Sequence, residues 1–262
     1  MFYANLLNFP LAATVVLLIV AASDVAAKDT FPAPLKRCRV DDEACIVRQG
    51  QAFFQNFKNG LPDRQIPSLE PLQLGTLRVV SGGPGDSLHF TLVLTDTTLH
   101  NFGDSVVVKS LKGFTKDLTK PLKLTFVTAM PELELHAKYD VNGKILILPI
   151  VSQGDVVMKL TKVLAKTRIS AEPDKRADGR TYLKIVEYKT VTKVGTGRFN
   201  MSNLFNDNEE LRETTLKTLN DQWDALSNDV QPKINEALDR VFKMSLQRLW
   251  DNIPYDEFFE DD

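Results

Sequence analysis

The stretch LKTLNDQWDALSNDVQPKINEAL, residues 216–238, repeats apolar side chains at helical spacing and belongs to a longer amphipathic segment. From about Asp207 to Trp250 the apolar positions follow one another mostly in steps of three or four, as on one face of a helix. A helix of that length would measure about 65 Å, more than the width of a domain of this size. Pro232 predicts a kink or a break near Val230. The positions on this face are Leu211, Thr215, Leu219, Trp223, Leu226, Val230, Ile234, Leu238, Val241, Phe242 and Leu249.

The middle of the chain alternates apolar and polar side chains with the period of a β-strand. The alternation holds over residues 87–99, 121–128 and 132–139. In the last of these, Leu133 and Leu135 fall on one face and the glutamates between them on the other. Alternation with one polar face is typical of antiparallel sheets that pack on one side only.

Two glycine-containing pairs predict turns between strands. Asn142–Gly143 predicts a type I′ hairpin that joins a strand at 132–141 to one at 144–151. Asp178–Gly179 predicts another turn further along the chain. Strands this long exceed the usual five or six residues, and long strands coil. We therefore expect a curved sheet.

The long helix and the curved sheet each have one apolar side, so each can cover the other. They predict an α+β fold, in which a long C-terminal α-helix is wrapped by a strongly curved antiparallel β-sheet. A coiled coil is the alternative for such a helix. It is disfavoured because the spacing is not a strict heptad and charges do not follow the e and g positions.

The first thirty residues have the features of a secretory leader. No charged side chain precedes Asp24, and the apolar run Leu11–Ala22 is too short to span a bilayer, which takes about 20 residues. Small residues at Val25 and Ala27 predict cleavage after Ala27. A membrane anchor is the alternative. We thus expect a signal peptide at 1–27 and a secreted chain.

We expect the remaining residues, 28–262, to form one domain with an acidic C-terminal tail, a solvated end from Asp251 to Asp262. The chain has two cysteines, Cys38 and Cys45, which should form one disulfide in an oxidising compartment. The sequon at Asn200 is a possible glycosylation site.

Overall composition argues against several classes of protein. The net charge is −2, with 43% hydrophobic and 25% charged residues, so no basic excess indicates nucleic acid or an anionic membrane surface. Metal-ligand spacing is absent among the three histidines, and no catalytic or nucleotide-binding motif is present. We therefore expect a protein that is not an enzyme and needs no cofactor.

Several motifs resemble the insect juvenile hormone-binding and Takeout-like secreted proteins over nearly all of residues 30–256. The resemblance implies a hydrophobic tunnel between helix and sheet, and carriage of a small apolar ligand such as a juvenile hormone, another terpenoid or a fatty-acid-like molecule. The motifs are the paired cysteines before the first helix, IPSLEPL (66–72), AKYDVNGKILILPI (137–150), FNDNEELRETTLKTLNDQW (205–223) and LWDNIPYDEFF (249–259).

Two residues are the leading candidates for ligand contact. Trp223 lies on the predicted inner helix face, and the resemblance implies that a tryptophan at this motif lines the pocket. Tyr139 lies on the apolar face of its strand, and the resemblance implies that its hydroxyl donates to the ligand. Either could instead be ordinary core.

Other candidates come from the first helix and from the apolar faces. The first helix should begin at Asp41 or Asp42 and end near Gly60, and its phenylalanines could close the tunnel mouth. Tunnel wall and packed core cannot be separated by pattern alone. These candidates are Phe53, Phe54, Phe57, Phe90, Leu92, Leu135, Leu219 and Leu226.

Two other functions remain open at this level. One is a signalling or interaction protein whose bound lipid is structural and whose receptor or carrier partner is unknown. The other is a lipid-transfer protein that docks on membranes, which the absence of a basic patch in the sequence disfavours.

Overall fold

The computed structural model describes residues 31–64, 66–83, 88–145, 148–205 and 208–260. The signal peptide predicted at 1–27 lies outside these residues. Among the helices within these ranges, none has the length and apolarity needed to cross a bilayer. The elements are α1 (Glu43–Asn56), β1 (Leu72–Ser81), β2 (Leu88–His100), α2 (Phe102–Ser105), β3 (Val107–Lys112), β4 (Leu122–Ile145), β5 (Leu148–Lys175), β6 (Thr181–Lys193), β7 (Thr196–Met201), α3 (Glu209–Asp221) and α4 (Trp223–Asp251), with 3₁₀ turns at Pro62–Arg64 and Tyr255–Phe258.

The described strands form one antiparallel sheet in the order β1-β2-β4-β5-β6. β3 pairs with the first half of β4, and β7 pairs with the middle of β5. β4 has 24 residues and β5 has 28, so the segments predicted separately at 121–128 and 132–139 belong to one strand. Because every strand twists in the same sense, strands of this length curl the sheet around its apolar face. The α+β fold with a curved antiparallel sheet is confirmed.

The two strands that the predicted hairpin joins do pair as antiparallel neighbours, but the predicted position of its turn, at Asn142–Gly143, is wrong. β4 continues through this pair, with Gly143 opposite Ile150, and pairing extends to Ile145 opposite Leu148. Glycine is required at position 143 for a different reason, because the backbone of β2 passes close to it. Its φ is +148°, and a Cβ there would lie 2.2 Å from the carbonyl oxygen of His89.

The turn predicted at Asp178–Gly179 is confirmed. It joins β5 to β6, and Gly179 has a φ of +80°, a conformation that glycine adopts without strain. The amide of Gly179 donates to the carbonyl oxygen of Arg176, which closes the turn.

The long C-terminal helix is divided, but not where proline predicted. α3 ends at Asp221, α4 begins at Trp223, and Gln222 separates them. Pro232 lies inside α4, so of the two outcomes expected near Val230 the break is wrong, and the kink stays a prediction. Proline costs one backbone hydrogen bond and some crowding, but Val230 and other apolar residues on both sides of it pack against the sheet. That packing holds the helix together across the proline.

Two clusters of buried side chains divide the interior. The larger lies between the concave face of the sheet and α3–α4. The smaller lies at the opposite end, where α1 packs near the end of α4, and it includes Trp250. Asp42 caps α1 by accepting a hydrogen bond from the amide of Cys45 at 2.8 Å, and the predicted Cys38–Cys45 disulfide is confirmed.

The end of the chain is packed, contrary to the expectation of a solvated tail. Ile253, Tyr255 and Phe259 are buried, as is the carboxylate of Glu257. Glu257 forms an ion pair with Arg180, which immediately precedes β6, and its carboxylate also accepts a hydrogen bond from the amide of Phe31. The acidic composition of this segment suggested a solvated tail. The large apolar residues between the acidic ones are instead buried in the smaller cluster.

Alkaline pH should destabilise the fold through this packed end. Burial raises the pKa of Tyr255 to about 12, and its hydroxyl donates to the carbonyl oxygen of Thr115 at 2.9 Å. Between pH 10 and 12 the unfolded chain ionises this phenol while the folded chain keeps it neutral, so stability is lost as pH rises through that window. We expect Tyr255 to account for a loss of about 2–3 kcal/mol in unfolding free energy.

Urea titrations at pH 9, 10, 11 and 12 would measure this loss. The Tyr255→Phe variant is less stable at pH 9 because it lacks the bond to Thr115, but its stability should fall less steeply above pH 10. Equal slopes for the variant and the wild type would contradict the assignment.

Candidate functional site

A cavity of about 260 Å³ lies between α4 and the concave face of the sheet. Strands β1, β2, β4, β5, β6 and β7 contribute side chains to its wall, together with α2, α3 and α4. On α4 the lining extends from Trp223 to Phe242, which at 1.5 Å per residue is about 30 Å of helix. The cavity is therefore long and narrow, and its volume is near the lower end for small-molecule sites, roughly 300 Å³.

The lining is apolar because strand periodicity turns every second residue inward. Leucine, valine, methionine and phenylalanine make up most of it, and no charged side chain is among the lining residues in the described ranges. A charged group moved into such a space would lose its hydration without gaining a partner. The side chains that bring a polar atom to the wall are Tyr139, Thr192, Trp223, Ser227, Gln231 and Asn235.

Most of the candidates chosen from the sequence lie in this wall. The lining includes the candidates from β2, β4, α3 and α4. Their role in ligand contact stays a prediction. The candidates found in the lining are Tyr139, Phe90, Leu92, Leu135, Leu219, Trp223 and Leu226.

Trp223 has a buried donor without an acceptor. Its Nε1–H makes no hydrogen bond to any residue that the structure describes. Buried polar groups are nearly always paired, so the unpaired indole N–H of this lining residue is a candidate donor to a ligand oxygen. The ring lies against Phe199 of β7, with centroids 5.8 Å apart.

Gly197 of β7 makes room for the Trp223 ring, and sequence reasoning missed it. A Cβ at Gly197 would lie 2.3 Å from the indole, so only glycine allows the ring to rest on the strand in this position. The Gly195-Thr196-Gly197 triplet gave no recognisable motif. The signal that could have found it is a glycine inside a strand, which often marks close approach of another group.

Tyr139 lines the cavity with its ring, whereas its hydroxyl is engaged by the protein. The hydroxyl donates to the carbonyl oxygen of Ser202 at 2.8 Å and lies 3.1 Å from the Oγ of Ser152. Ser152 in turn donates to the carbonyl oxygen of Asn203 at 2.8 Å. These bonds tie the segment after β7 to the sheet. A hydrogen bond from Tyr139 to a ligand would have to replace the one to Ser202.

A second polar position in the wall involves Thr192, Gln231 and Asn235. The amide nitrogen of Gln231 donates to the hydroxyl of Thr192, which donates to Asn235 Oδ1 at 2.7 Å. The sequence analysis missed this group. The sequence pattern that could have revealed it is a pair of amide side chains, Gln231 and Asn235, which are four residues apart beside the apolar face of α4.

The three phenylalanines predicted on the first helix do not form part of the lining. None of Phe53, Phe54 and Phe57 is among the described residues that contact the cavity. Phe54 packs edge-on against Phe102 of α2, and Phe102, which is in the wall, packs against Phe242. Direct ligand contact by these three, expected from the sequence, is therefore not seen. They support one end of the wall through Phe102.

Outside the cavity, the structure bears on two further features of the sequence, a glycosylation sequon and potential metal ligands. Asn200 is exposed on β7, where a glycan could be attached, and its glycosylation stays a prediction. No group of three or more potential metal ligands occurs within the described residues.

Comparison with known proteins agrees with this architecture. The haemolymph juvenile hormone binding protein (JHBP) family model matches residues 14–260. The circadian clock-controlled protein daywake of Drosophila yakuba is 59% identical over 236 residues, covering 90% of this chain and 91% of that protein. The Drosophila melanogaster protein of the same name is 58% identical over the same length, with the same coverage.

A solved structure shares the fold. The crystal structure of Takeout 1 from Epiphyas postvittana aligns with 87% of this chain and 100% of its own, with a TM-score of 0.76 and 24% sequence identity. At that identity the likeness concerns the fold alone. The family match covers most of the chain, and relatives more than half identical cover nine-tenths of it. The chain is therefore a member of the haemolymph juvenile hormone binding protein family.

Proposed function

We propose that this protein is a secreted carrier that holds a small apolar ligand, a juvenile hormone, another terpenoid or a fatty-acid-like molecule, in the cavity between α4 and the sheet. The observation that carries the proposal is the cavity itself, an apolar space of about 260 Å³. Trp223, whose buried N–H has no partner among the described residues, is one of its lining residues. Membership of a family described as haemolymph juvenile hormone binding supports both the ligand class and secretion.

The energetics favour a ligand that is mostly hydrocarbon. Each buried methylene contributes about 0.8 kcal/mol, so a dozen carbons give roughly 10 kcal/mol before the several kcal/mol that association costs. The remainder is enough for micromolar binding or tighter. With no charged side chain among the described lining residues, a neutral oxygen, as in an ester, ketone or epoxide, suits the wall better than an ionised carboxylate.

Secretion is supported by independent features of the chain. The Cys38–Cys45 disulfide is typical of an oxidising compartment. The sequon at Asn200 is accessible on the surface. The leader at 1–27 has the composition of a signal peptide. A binding role suits a wall in which most of the described lining side chains are hydrocarbon.

Native mass spectrometry of protein recovered from culture medium tests the proposal. We expect a stoichiometric apolar molecule that solvent extraction releases and that added juvenile hormone or fatty acid displaces. A protein that is empty and takes up no apolar probe would overturn the carrier function. A bound lipid that never exchanges would favour the alternative, an interaction protein with a structural lipid.

The Trp223→Phe variant should distinguish ligands by their oxygen content. Phenylalanine keeps an aromatic ring against Gly197 but removes the indole N–H. A hydrogen bond contributes about 0.5–1.5 kcal/mol, so affinity for an oxygen-bearing ligand should fall roughly 3- to 10-fold. Affinity for a hydrocarbon of similar size should stay the same or increase, because no donor is then left unpaired. Competition against a fluorescent apolar probe would measure both, and an equal loss for both ligands would mean that Trp223 acts by packing alone.

A further inference from the structure

The outer face of the sheet carries exposed cations that lack carboxylate partners. They come from three adjacent strands: β4, β5 and β6. We call the surface that they form the basic face, and its cations are Lys123, Lys166, Arg168, Lys189 and Lys193. No carboxylate of the described residues lies within ion-pair distance of any of the five.

Strand register brings these cations together. Lys166 of β5 is opposite Val191 of β6, and Arg168 is opposite Lys189. Leu164, on the same side of β5, is opposite Lys193. Residues directly opposite on neighbouring strands have Cβ atoms about 5 Å apart. The Arg168–Lys189 pair therefore places two like charges side by side, which is unfavourable unless an anion lies over them.

Apolar side chains stand between the cations and are unusually exposed. Leu164 is 45% exposed, Val191 is 60% exposed, and Val107 at the β3 edge is 38% exposed. Val107 is opposite Ala129, which is itself opposite Leu164, so the apolar positions continue across three strands. The face thus combines positive charge with apolar contact area.

Two cations elsewhere on the outer surface of the sheet have carboxylate partners. Lys159 lies 3.2 Å from a carboxylate oxygen of Glu134, and Lys138 lies 3.7 Å from one of Asp155. Two carboxylates lie at one end of the basic face. Glu187 of β6 is opposite Ser170, and Glu172 follows Ser170 on the same side of β5. Burial raises the pKa of Asp239 on α4. The positive charge of Lys189 acts in the opposite direction, but its effect is smaller.

The basic face forms only in the folded protein, where strand pairing brings its cations together. The cations are separated along the chain and the net charge is −2, which is why the sequence analysis expected no basic patch. That expectation is wrong, and with it the argument against membrane docking is removed.

We propose that the basic face binds the surface of an anionic phospholipid bilayer. Four of its five cations are lysines, which are depleted from protein–protein interfaces but act well as point charges towards mobile anionic headgroups. Leu164 and Val191 can enter the boundary between headgroups and acyl chains, as apolar residues of peripheral proteins do. The adjacent Val163 points to the opposite side and lines the cavity, so docking here would place the cavity wall against the membrane. The inference goes beyond the proposed carrier function and does not depend on which ligand is bound.

Vesicle flotation with the full secreted protein tests it. The probes are vesicles of phosphatidylcholine with about one-third phosphatidylserine and vesicles of phosphatidylcholine alone. The test variant combines Lys166→Gln, Arg168→Gln and Lys193→Gln. The control combines Lys144→Gln, Lys217→Gln and Lys233→Gln, three exposed cations outside the basic face with the same change of charge.

We expect the wild-type protein to float with the anionic vesicles only, and more weakly as salt is raised. Each cation near an anionic surface strengthens binding about fivefold, so the test variant should bind on the order of 100-fold more weakly and the control nearly as well as wild type. Leu164→Ser with Val191→Ser should weaken binding several-fold, even at a salt concentration that screens the charges.

Two results would overturn the proposal. If the control loses as much binding as the test variant, net charge rather than the basic face governs the interaction. If the wild-type protein does not bind anionic vesicles at all, a bilayer is not the partner, and the face would fit an acidic protein instead.

Discussion

Replacing Ala237 with phenylalanine is expected to lower the affinity of the cavity for an apolar ligand by at least about 100-fold. Ala237 is 4% exposed and lies in the wall on α4. Phenylalanine adds six carbons at this position, in a cavity of about 260 Å³. Since each displaced methylene removes about 0.8 kcal/mol of ligand burial, losing even four of them weakens binding more than 100-fold.

The fold should tolerate the Ala237→Phe change because empty space receives the ring. Overpacking a filled core usually costs about 1–3 kcal/mol, so the melting temperature separates the two possibilities. A cavity that holds ligand predicts a melting temperature near that of the wild type with binding lost. A tightly packed interior predicts a clear fall in melting temperature.

Met244→Phe is a matched control for this experiment. Met244 is on the same helix but is exposed, so its replacement adds an aromatic ring outside the cavity. Binding of a fluorescent apolar probe should be unchanged in that variant. If Ala237→Phe also keeps wild-type affinity, the ligand does not occupy this cavity and the carrier function is wrong.

Much of the architecture could be predicted because it follows from periodicity. Steps of three and four residues indicated the helix face that includes Leu219 and Leu226, and alternation indicated the strands. Both patterns report which side of an element is buried, and that information is local. The same patterns placed Trp223 and Tyr139 on inner faces, where the structure has them.

The predictions that were wrong concern positions whose structure depends on contacts between distant segments of the chain. Gly143 looked like part of a turn, but its role is set by β2, whose backbone passes too close for a side chain. Pro232 looked like a helix breaker, but packing on both sides of it outweighs the local cost.

The candidate site could be predicted only in part for a similar reason. A leucine that lines a cavity and a leucine in a packed core have the same pattern, since both face inward. Gly197 acquires its role only when Trp223 lies over it. Phe54 was a candidate for the tunnel mouth, with core packing as the alternative, and Phe102, which lines the cavity, packs against it.

Replacing Gly143 with alanine is expected to destabilise the protein by about 3–5 kcal/mol, among the largest effects of a single substitution. Its φ of +148° is costly for any other residue, and a Cβ would lie 2.2 Å from the carbonyl oxygen of His89 and 2.5 Å from the Cα of Phe90. Both are backbone atoms of β2, so relief requires the strand to move. For a domain of this size that corresponds to a fall of about 10 °C in melting temperature.

Gly179→Ala separates backbone strain from the clash. Gly179 also has a positive φ, +80°, but a Cβ there would meet no atom within 4 Å. Only the left-handed conformation is then unfavourable, at about 1–2 kcal/mol, so the melting temperature should fall by a few degrees. Because Phe90 lies opposite Gly143 and lines the cavity, Gly143→Ala should also weaken ligand binding, whereas Gly179→Ala should not. Equal thermal losses in the two variants would mean that β2 yields easily, and the close packing of β2 against β4 would then not be what requires glycine at position 143.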